Sequence, residues 1–189
     1  MSDPIRIQLP VDRSILATLT AGDEVRLSGP VFTARDAGHV RLLEYLEREG
    51  ELPFGLAGQV LFYAGPTPSV PGRPAGSVGP TTAKRMDFAT PALFSAGIVG
   101  AIGKGARSEQ VRRACIETGS VYFAAVGGAA ALLGGYVTSA QPIAWEDLGT
   151  EALVRMELDD FPVFVALDTR GGDLYAEAPA RWSEGLEAL

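Results

Sequence analysis

Apolar and polar residues alternate at the start of the chain: Ile5, Ile7 and Leu9 are separated by Arg6 and Gln8, a period of two that predicts a strand. Asp12 and Ser14 then offer caps for one short helical turn, and Gly22-Asp23 signals a reversal. Positions 24–33 set Val25, Leu27, Val31 and Thr33 around Gly29-Pro30, the pattern of a strand interrupted by a kink or bulge. Asp36 stands where it can cap a helix. In that helix Val40, Leu42, Leu43 and Leu46 keep a 3.6-residue period through Glu49, and Gly50 stops it. A short apolar strand at 60–64 ends at Gly65-Pro66.

The pattern then breaks. Positions 67–81 are crowded with proline, glycine, serine and threonine, which predicts a surface loop, and long aperiodic loops often carry function. A helix is expected from Thr81 or Thr82, kinked or restarted at Thr90-Pro91 and stopping at Gly97. A strand at 98–102, a helix from Ser108 to Gly119, a strand at 121–126 and a short alanine-rich helix within 127–133 follow. Positions 136–145 and 161–167 read as strands, the second closing on Asp168 and a Gly171-Gly172 turn. Strands alternate with helices through the middle, so the expected class is α/β with a mixed sheet, and the whole chain, 1–189, is expected to form a single domain.

Charge narrows the function. The net charge of -7 excludes a general nucleic-acid-binding role, because phosphate backbones demand basic surface. The acids concentrate in residues 144–189, where eleven of them against three bases suggest a solvated acidic surface, whereas residues 73–113 hold seven bases and two acids. A local positive field in an acidic protein suits a small anion better than a polymer. Arg107, Arg112 and Arg113 fit a solvated basic helix face instead.

Cys115, the single cysteine, permits no disulfide within the chain and is most simply a small buried hydrophobe. His39 is the single histidine, so a histidine-rich metal site is excluded. The start of the chain lacks the basic, apolar and small-residue order of a signal peptide, and the longest apolar run, 121–133, is too short to span a bilayer. A cytoplasmic location without membrane contact is expected.

The candidate chemistry lies between Gly76 and Gly105. This stretch holds Lys84 and Lys104, the two lysines of a chain whose other basic residues are all arginine. If one helix covers Thr81 and Arg85, their spacing of four puts hydroxyl and guanidinium on one face, with Lys84 directed away. Gly76 and Gly79 let backbone N–H groups approach an anion, and arginine adds a bidentate fork for a carboxylate. The same spacing serves equally well for a Thr81 or Thr82 helix cap with Arg85 on the solvated side. Lys104, between glycines after a short apolar strand, is placed either to reach over a sheet edge toward a ligand or simply to sit in a tight turn. The residue after Lys104 is glycine, so this is no P-loop. Arg35, Asp36 and His39 form a third cluster at a strand-to-helix junction.

Taken together these pieces resemble the beta subunit, or C-terminal domain, of the class I fumarate hydratase and L-tartrate dehydratase family of iron-sulfur hydro-lyases. The residues that carry the resemblance run in order: Gly22-Asp23, Leu27-Ser28-Gly29, Thr33-Ala34-Arg35-Asp36 with His39, Gly65-Pro66, Gly76-Ser77, Gly79-Pro80-Thr81-Thr82, Arg85-Met86-Asp87, Gly103-Lys104-Gly105, Val121-Tyr122, Gly127-Gly128, Glu151-Ala152 and Phe161-Pro162. The resemblance implies a swivelling β/β/α domain that pairs with an alpha subunit in a hetero-oligomer of alpha2beta2 type. It implies a [4Fe-4S] cluster ligated by that alpha subunit, with no metal held by this chain. Carried over, Thr81 and Lys104 would be catalytic, and Arg35, Arg85, Thr82 and Gly79 would bind a dicarboxylate substrate. Asp36 and His39 would support them, His39 by orienting Arg35 or its loop. The implied reaction is reversible hydration of fumarate to (S)-malate, with conversion of tartrate to oxaloacetate as the nearest alternative. A non-catalytic module that binds phosphate or another small anion remains a third reading of the glycine loops.

Overall fold

The computed structural model describes residues 3–69 and 71–179. Its strands are β1 (Ile5–Gln8), β2 (Glu24–Thr33), β3 (Val60–Phe62), β4 (Gly100–Gly103), β5 (Val121–Ala124), β6 (Val137–Ala144) and β7 (Leu153–Leu167). The α-helices are α1 (Arg13–Leu16), α2 (Asp36–Glu49), α3 (Thr90–Ser95), α4 (Glu109–Thr118) and α5 (Ala130–Leu133). The strands are ordered β1-β2-β3-β4-β5-β7-β6, and β7 also pairs with β2, so β2, β3, β4, β5 and β7 close into a barrel-like ring. Neighbours among β1 to β5 are parallel, while β7 runs antiparallel to β2, β5 and β6. The chain thus forms the expected α/β class, a mixed sheet flanked by helices.

Period-two side-chain alternation sorts the core into two layers. Val60 and Phe62 of β3, Val121 and Phe123 of β5, and Val163 and Val165 of β7 point into the ring. Leu61, Tyr63, Tyr122 and Ala124 point outward into a second cluster, which Leu42 of α2, Leu93 and Phe94 of α3 and Val111, Ala114 and Cys115 of α4 cover. Buried on both faces, these strands read as continuous apolar runs.

β7 holds the ring closed, and half of it escaped the periodicity. Leu27 faces Phe161 and Gly29 faces Leu158, so Ser28 of β2 opposes both Asp159 and Asp160 of β7: the irregularity expected at Gly29-Pro30 is a bulge on the partner strand. Asp160 takes positive φ there, and its N–H donates to Ser28 Oγ at 3.0 Å. The extra residue switches the parity of the inward face, from Val154, Met156 and Leu158 to Phe161, Val163 and Val165.

Four other expectations are corrected. Thr81 and Thr82 are not helical; a 3₁₀ turn spans Ala83–Met86, and α3 begins separately at Thr90. Asp36 is the first residue of α2 and not its cap, and the N–H of Ala37 is satisfied by Glu151 Oε2 at 2.8 Å. Arg107 is not on a solvated face: its side chain is fully buried against Asp87, with Nε 2.6 Å from Oδ1. Of the acids expected on a solvated surface, Asp168 is buried and accepts N–H bonds from Ala21, Arg170 and Gly172. Burial, the largest influence, raises the pKa of that carboxyl, and the three N–H bonds outweigh it and hold the group below the usual carboxylate value. Glu184 and Glu187 lie outside the described residues.

Candidate active site

The cleft lies at the C-terminal ends of the parallel strands, where open α/β sheets characteristically bind ligands. Arg35 follows β2, and Lys104 follows β4 directly. Between them the segment from Pro80 to Thr82 is laid across the ends of β3 and β4 by backbone pairing. The Thr81 N–H donates to Tyr63 O at 2.6 Å, the Lys104 N–H to Thr81 O at 3.1 Å, and the Ala83 N–H to Lys104 O at 2.9 Å. Isolated bridges join Ala64 to Pro80 and Thr82 to Lys104. Thr81 therefore reaches the cleft through strand-like pairing, and the helix-face argument for it fails although its destination holds.

A cavity of about 340 Å³ is lined by Arg35, Gly79, Thr81, Thr82, Arg85 and Lys104, so all six residues expected to act on or bind substrate meet in one place. Gly65, Thr67, Ser77, Pro80 and Ala130 complete the wall. Lys84 is exposed and lines no part of it. A larger groove of about 440 Å³ adjoins the cavity at Thr67, but Glu146 is its only charged lining residue among those described, so it is not the anion site.

Two glycines permit this convergence by close approach. A Cβ on Gly79 would stand 2.8 Å from Ala130 Cβ, and one on Gly65 would stand 2.8 Å from Thr150 O and 3.0 Å from Arg35 Nη1. Glycine at 65 thus makes room for the guanidinium itself.

Both arginines are held by carboxylates. Arg85 forms a bidentate pair with Asp36, Nε to Oδ1 at 3.0 Å and Nη2 to Oδ2 at 2.5 Å, and half of the Arg85 side chain remains exposed. Arg35 Nη2 lies 3.5 Å from Glu151 Oε1. Glu151 was not singled out for this role, because its contacts with Arg35 and Ala37 span more than a hundred residues of chain and leave no local pattern. Lys104 makes no ion pair among the described residues.

His39 supports the site from beneath. Its backbone N–H and Nδ1 both lie 2.8 Å from Arg35 O, and its ring packs edge-on against Tyr63 with centroids 4.9 Å apart. Complete burial lowers its pKa to about 4, so near neutrality the ring is uncharged and Nδ1 carries the proton donated to Arg35 O. It does not line the cavity, and its contact with the site is the bond to the Arg35 carbonyl.

The cleft thus gathers three cations and a threonine hydroxyl, a lining suited to a small anion. The family model for the fumarase C-terminus matches residues 2–178. The chain belongs to that family. It is 36% identical over 170 residues to the anaerobic class I fumarate hydratase of Escherichia coli, covering 87% of this chain and 31% of that protein. It is 38% identical over 153 residues to the mitochondrial fumarate hydratase 1 of Leishmania major, covering 80% of this chain and 28% of that one. It is 34% identical over 177 residues to a Methanocaldococcus jannaschii protein provisionally named L(+)-tartrate dehydratase subunit beta, covering 90% of this chain and 91% of that one. The chain thus spans about a third of the fumarate hydratases it matches and nearly the whole of the beta subunit. Among the described residues no helix is long and apolar enough to cross a membrane.

Proposed function

We propose that this chain is the beta subunit of a class I fumarate hydratase, reversibly hydrating fumarate to (S)-malate in a cytoplasmic hetero-oligomer of alpha2beta2 type. The observation that carries this reading is the single cleft shared by Arg35, Arg85, Lys104 and Thr81. Five charged groups meet around it: the cations Arg35, Arg85 and Lys104, with Glu151 and Asp36 against the first two. A dicarboxylate can take over the exposed fork of Arg85 and claim Lys104 outright. Water leaves from one carbon as a proton leaves its neighbour, and negative charge develops on the carboxylate beside the acidic carbon. Cations aimed at that charge lower the barrier by electrostatic stabilisation. Thr81, which lines the same cavity, is assigned the proton transfer at that carbon, its alkoxide form favoured by the same positive field.

This chain does not fit an iron-sulfur cluster. Such clusters are held by several cysteine thiolates, whereas Cys115 is alone, buried in the outer layer, and pushed up to about 12 by burial. No group of three or more candidate ligands able to hold a metal occurs among the described residues. The [4Fe-4S] cluster is therefore assigned to a partner alpha subunit.

One observation favours a second substrate. The relative matched over nearly its whole length is named as a tartrate dehydratase beta subunit, and tartrate presents the same two carboxylates to the same cations. An anaerobic assay of the chain, alone and co-expressed with an iron-sulfur alpha subunit, on fumarate and L(+)-tartrate side by side tests both readings. Turnover of fumarate by the complex, with none by the chain alone, supports the first. Exclusive turnover of tartrate replaces it with the second, and phosphate binding without turnover of either substrate overturns both in favour of a simple anion-binding module.

A further inference from the structure

We infer that Arg107 is the positioning residue of the cleft, a buried cation that locks the three segments carrying Thr81, Arg85 and Lys104 to one another. Its side chain is fully buried and lines no part of the cavity. Nε donates to Asp87 Oδ1 at 2.6 Å and Nη2 to Thr90 Oγ1 at 2.7 Å, which ties Arg107 to the C-terminal flank of the turn that carries Arg85 and to the start of α3. Asp87 Oδ2 also accepts the N–H of Ser108 at 2.7 Å, so the carboxylate binds Arg107 and its neighbour together.

The guanidinium carbon lies over two tyrosine rings, 5.3 Å from the centre of the Tyr63 ring and 4.7 Å from that of Tyr122. Each tyrosine controls one wall of the cleft. Tyr63 gives its backbone carbonyl to the Thr81 N–H, and its ring edge meets His39, which holds the carbonyl of Arg35. Tyr122 donates its hydroxyl to Gly105 O at 3.0 Å and so fixes the loop just beyond Lys104. Thr90 shows how fully the network is directed. Its hydroxyl proton goes to Met86 O at 2.8 Å, which leaves its lone pairs for Arg107 Nη2 and for the Tyr63 hydroxyl at 3.0 Å, making Tyr63 the donor.

A buried ion pair is weak evidence for a stabilising role, since apolar residues of equal volume often serve as well. What apolar residues cannot reproduce is a charged fork that hydrogen-bonds one segment while its carbon lies over aromatic rings of two others. That geometry assigns Arg107 to site alignment. Arg107 lies three residues after Lys104, so it also anchors the chain that carries the lysine.

The inference takes the identity of the anion from the function proposed above, and its test separates the two. The full chain is prepared as Arg107→Lys, which keeps the charge and loses the fork, and as the double variant Arg107→Met with Asp87→Asn, which leaves no unpaired charge if the first folds poorly. Amide hydrogen exchange is read at Thr81, Ala83 and Lys104, the three N–H groups that pair the cleft segments, with Val165 in the ring as control. Exchange at the first three is expected to quicken by about tenfold or more while Val165 is unchanged. In complex with the alpha subunit, KM for fumarate is expected to rise by about tenfold in the folded variants. A merely structural role would lower the active fraction, and so kcat, at constant KM. Unchanged exchange at Thr81, Ala83 and Lys104 in a folded variant overturns the inference, as does a constant KM. If the wild-type complex hydrates no fumarate, the functional reading fails, and the exchange result alone decides for or against Arg107.

Discussion

Arg85 stands on the 3₁₀ turn and Arg107 packs against Asp87 and Thr90 just beyond it; each holds an aspartate through its guanidinium, in opposite surroundings. Arg85 is half exposed at the cleft and pairs with Asp36 in water, so its fork can be exchanged onto a substrate carboxylate. Arg107 is sealed beneath the cleft by Asp87, Thr90 and two tyrosine rings, and has nothing to exchange. The difference is solvation. An exposed ion pair is worth little and is therefore replaceable, whereas breaking a buried one strands a charge in a low-dielectric interior.

The largest effect that could break this comparison is on stability. Arg107→Met, which leaves Asp87 buried and unpaired, is expected to cost about 3–5 kcal/mol in urea unfolding, against less than about 1 kcal/mol for Arg85→Met. Equal losses would erase the distinction between the two arginines. Activity should invert the order: Arg85→Ala is expected to lower fumarate turnover by about 10²–10³-fold, with the subunits still co-eluting on size exclusion.

A pH experiment sharpens the same contrast between buried and exposed groups. His39 has its pKa lowered to about 4 in the folded protein from 6.5, chiefly by burial. The unfolded chain therefore binds the additional proton as pH falls from 6.5 toward 4, so the stability tied to neutral His39 is fully present above 6.5 and is lost across that window. At about 1.4 kcal/mol per pH unit the loss approaches roughly 3 kcal/mol. Urea midpoints at pH 7 and pH 4.5 should show it in the wild type, and His39→Gln should flatten the dependence. The smallest effect is expected for Asp36→Asn. It should change stability by less than about 1 kcal/mol while raising KM several-fold, because Arg85 loses its orienting carboxylate.

The cleft was legible in the sequence for a physical reason. Lys104 stands between glycines directly after a short apolar strand, Arg35 at a strand-to-helix junction and Arg85 just beyond a proline- and glycine-rich loop, and with Thr81 they converge as expected. What surrounds them was not legible. Arg107 sits in a basic stretch and its aspartate lies twenty residues upstream, so nothing local distinguished it from the solvated Arg113. Helix α2 announced itself by its apolar period, but β7 did not, because the bulge at Asp159-Asp160 reverses the parity of its inward face midway. Closure of the ring by pairing β7 with β2 joins residues more than a hundred positions apart, and short-range patterns carry no trace of it.

Lys104 tests the central claim most directly, since it lines the cleft and makes no ion pair among the described residues. Lys104→Ala is assayed anaerobically for fumarate hydration in the complex with the iron-sulfur alpha subunit, next to the wild type. The account expects an intact complex whose turnover has fallen by about 10²-fold or more. Near-wild-type turnover in that complex would contradict it.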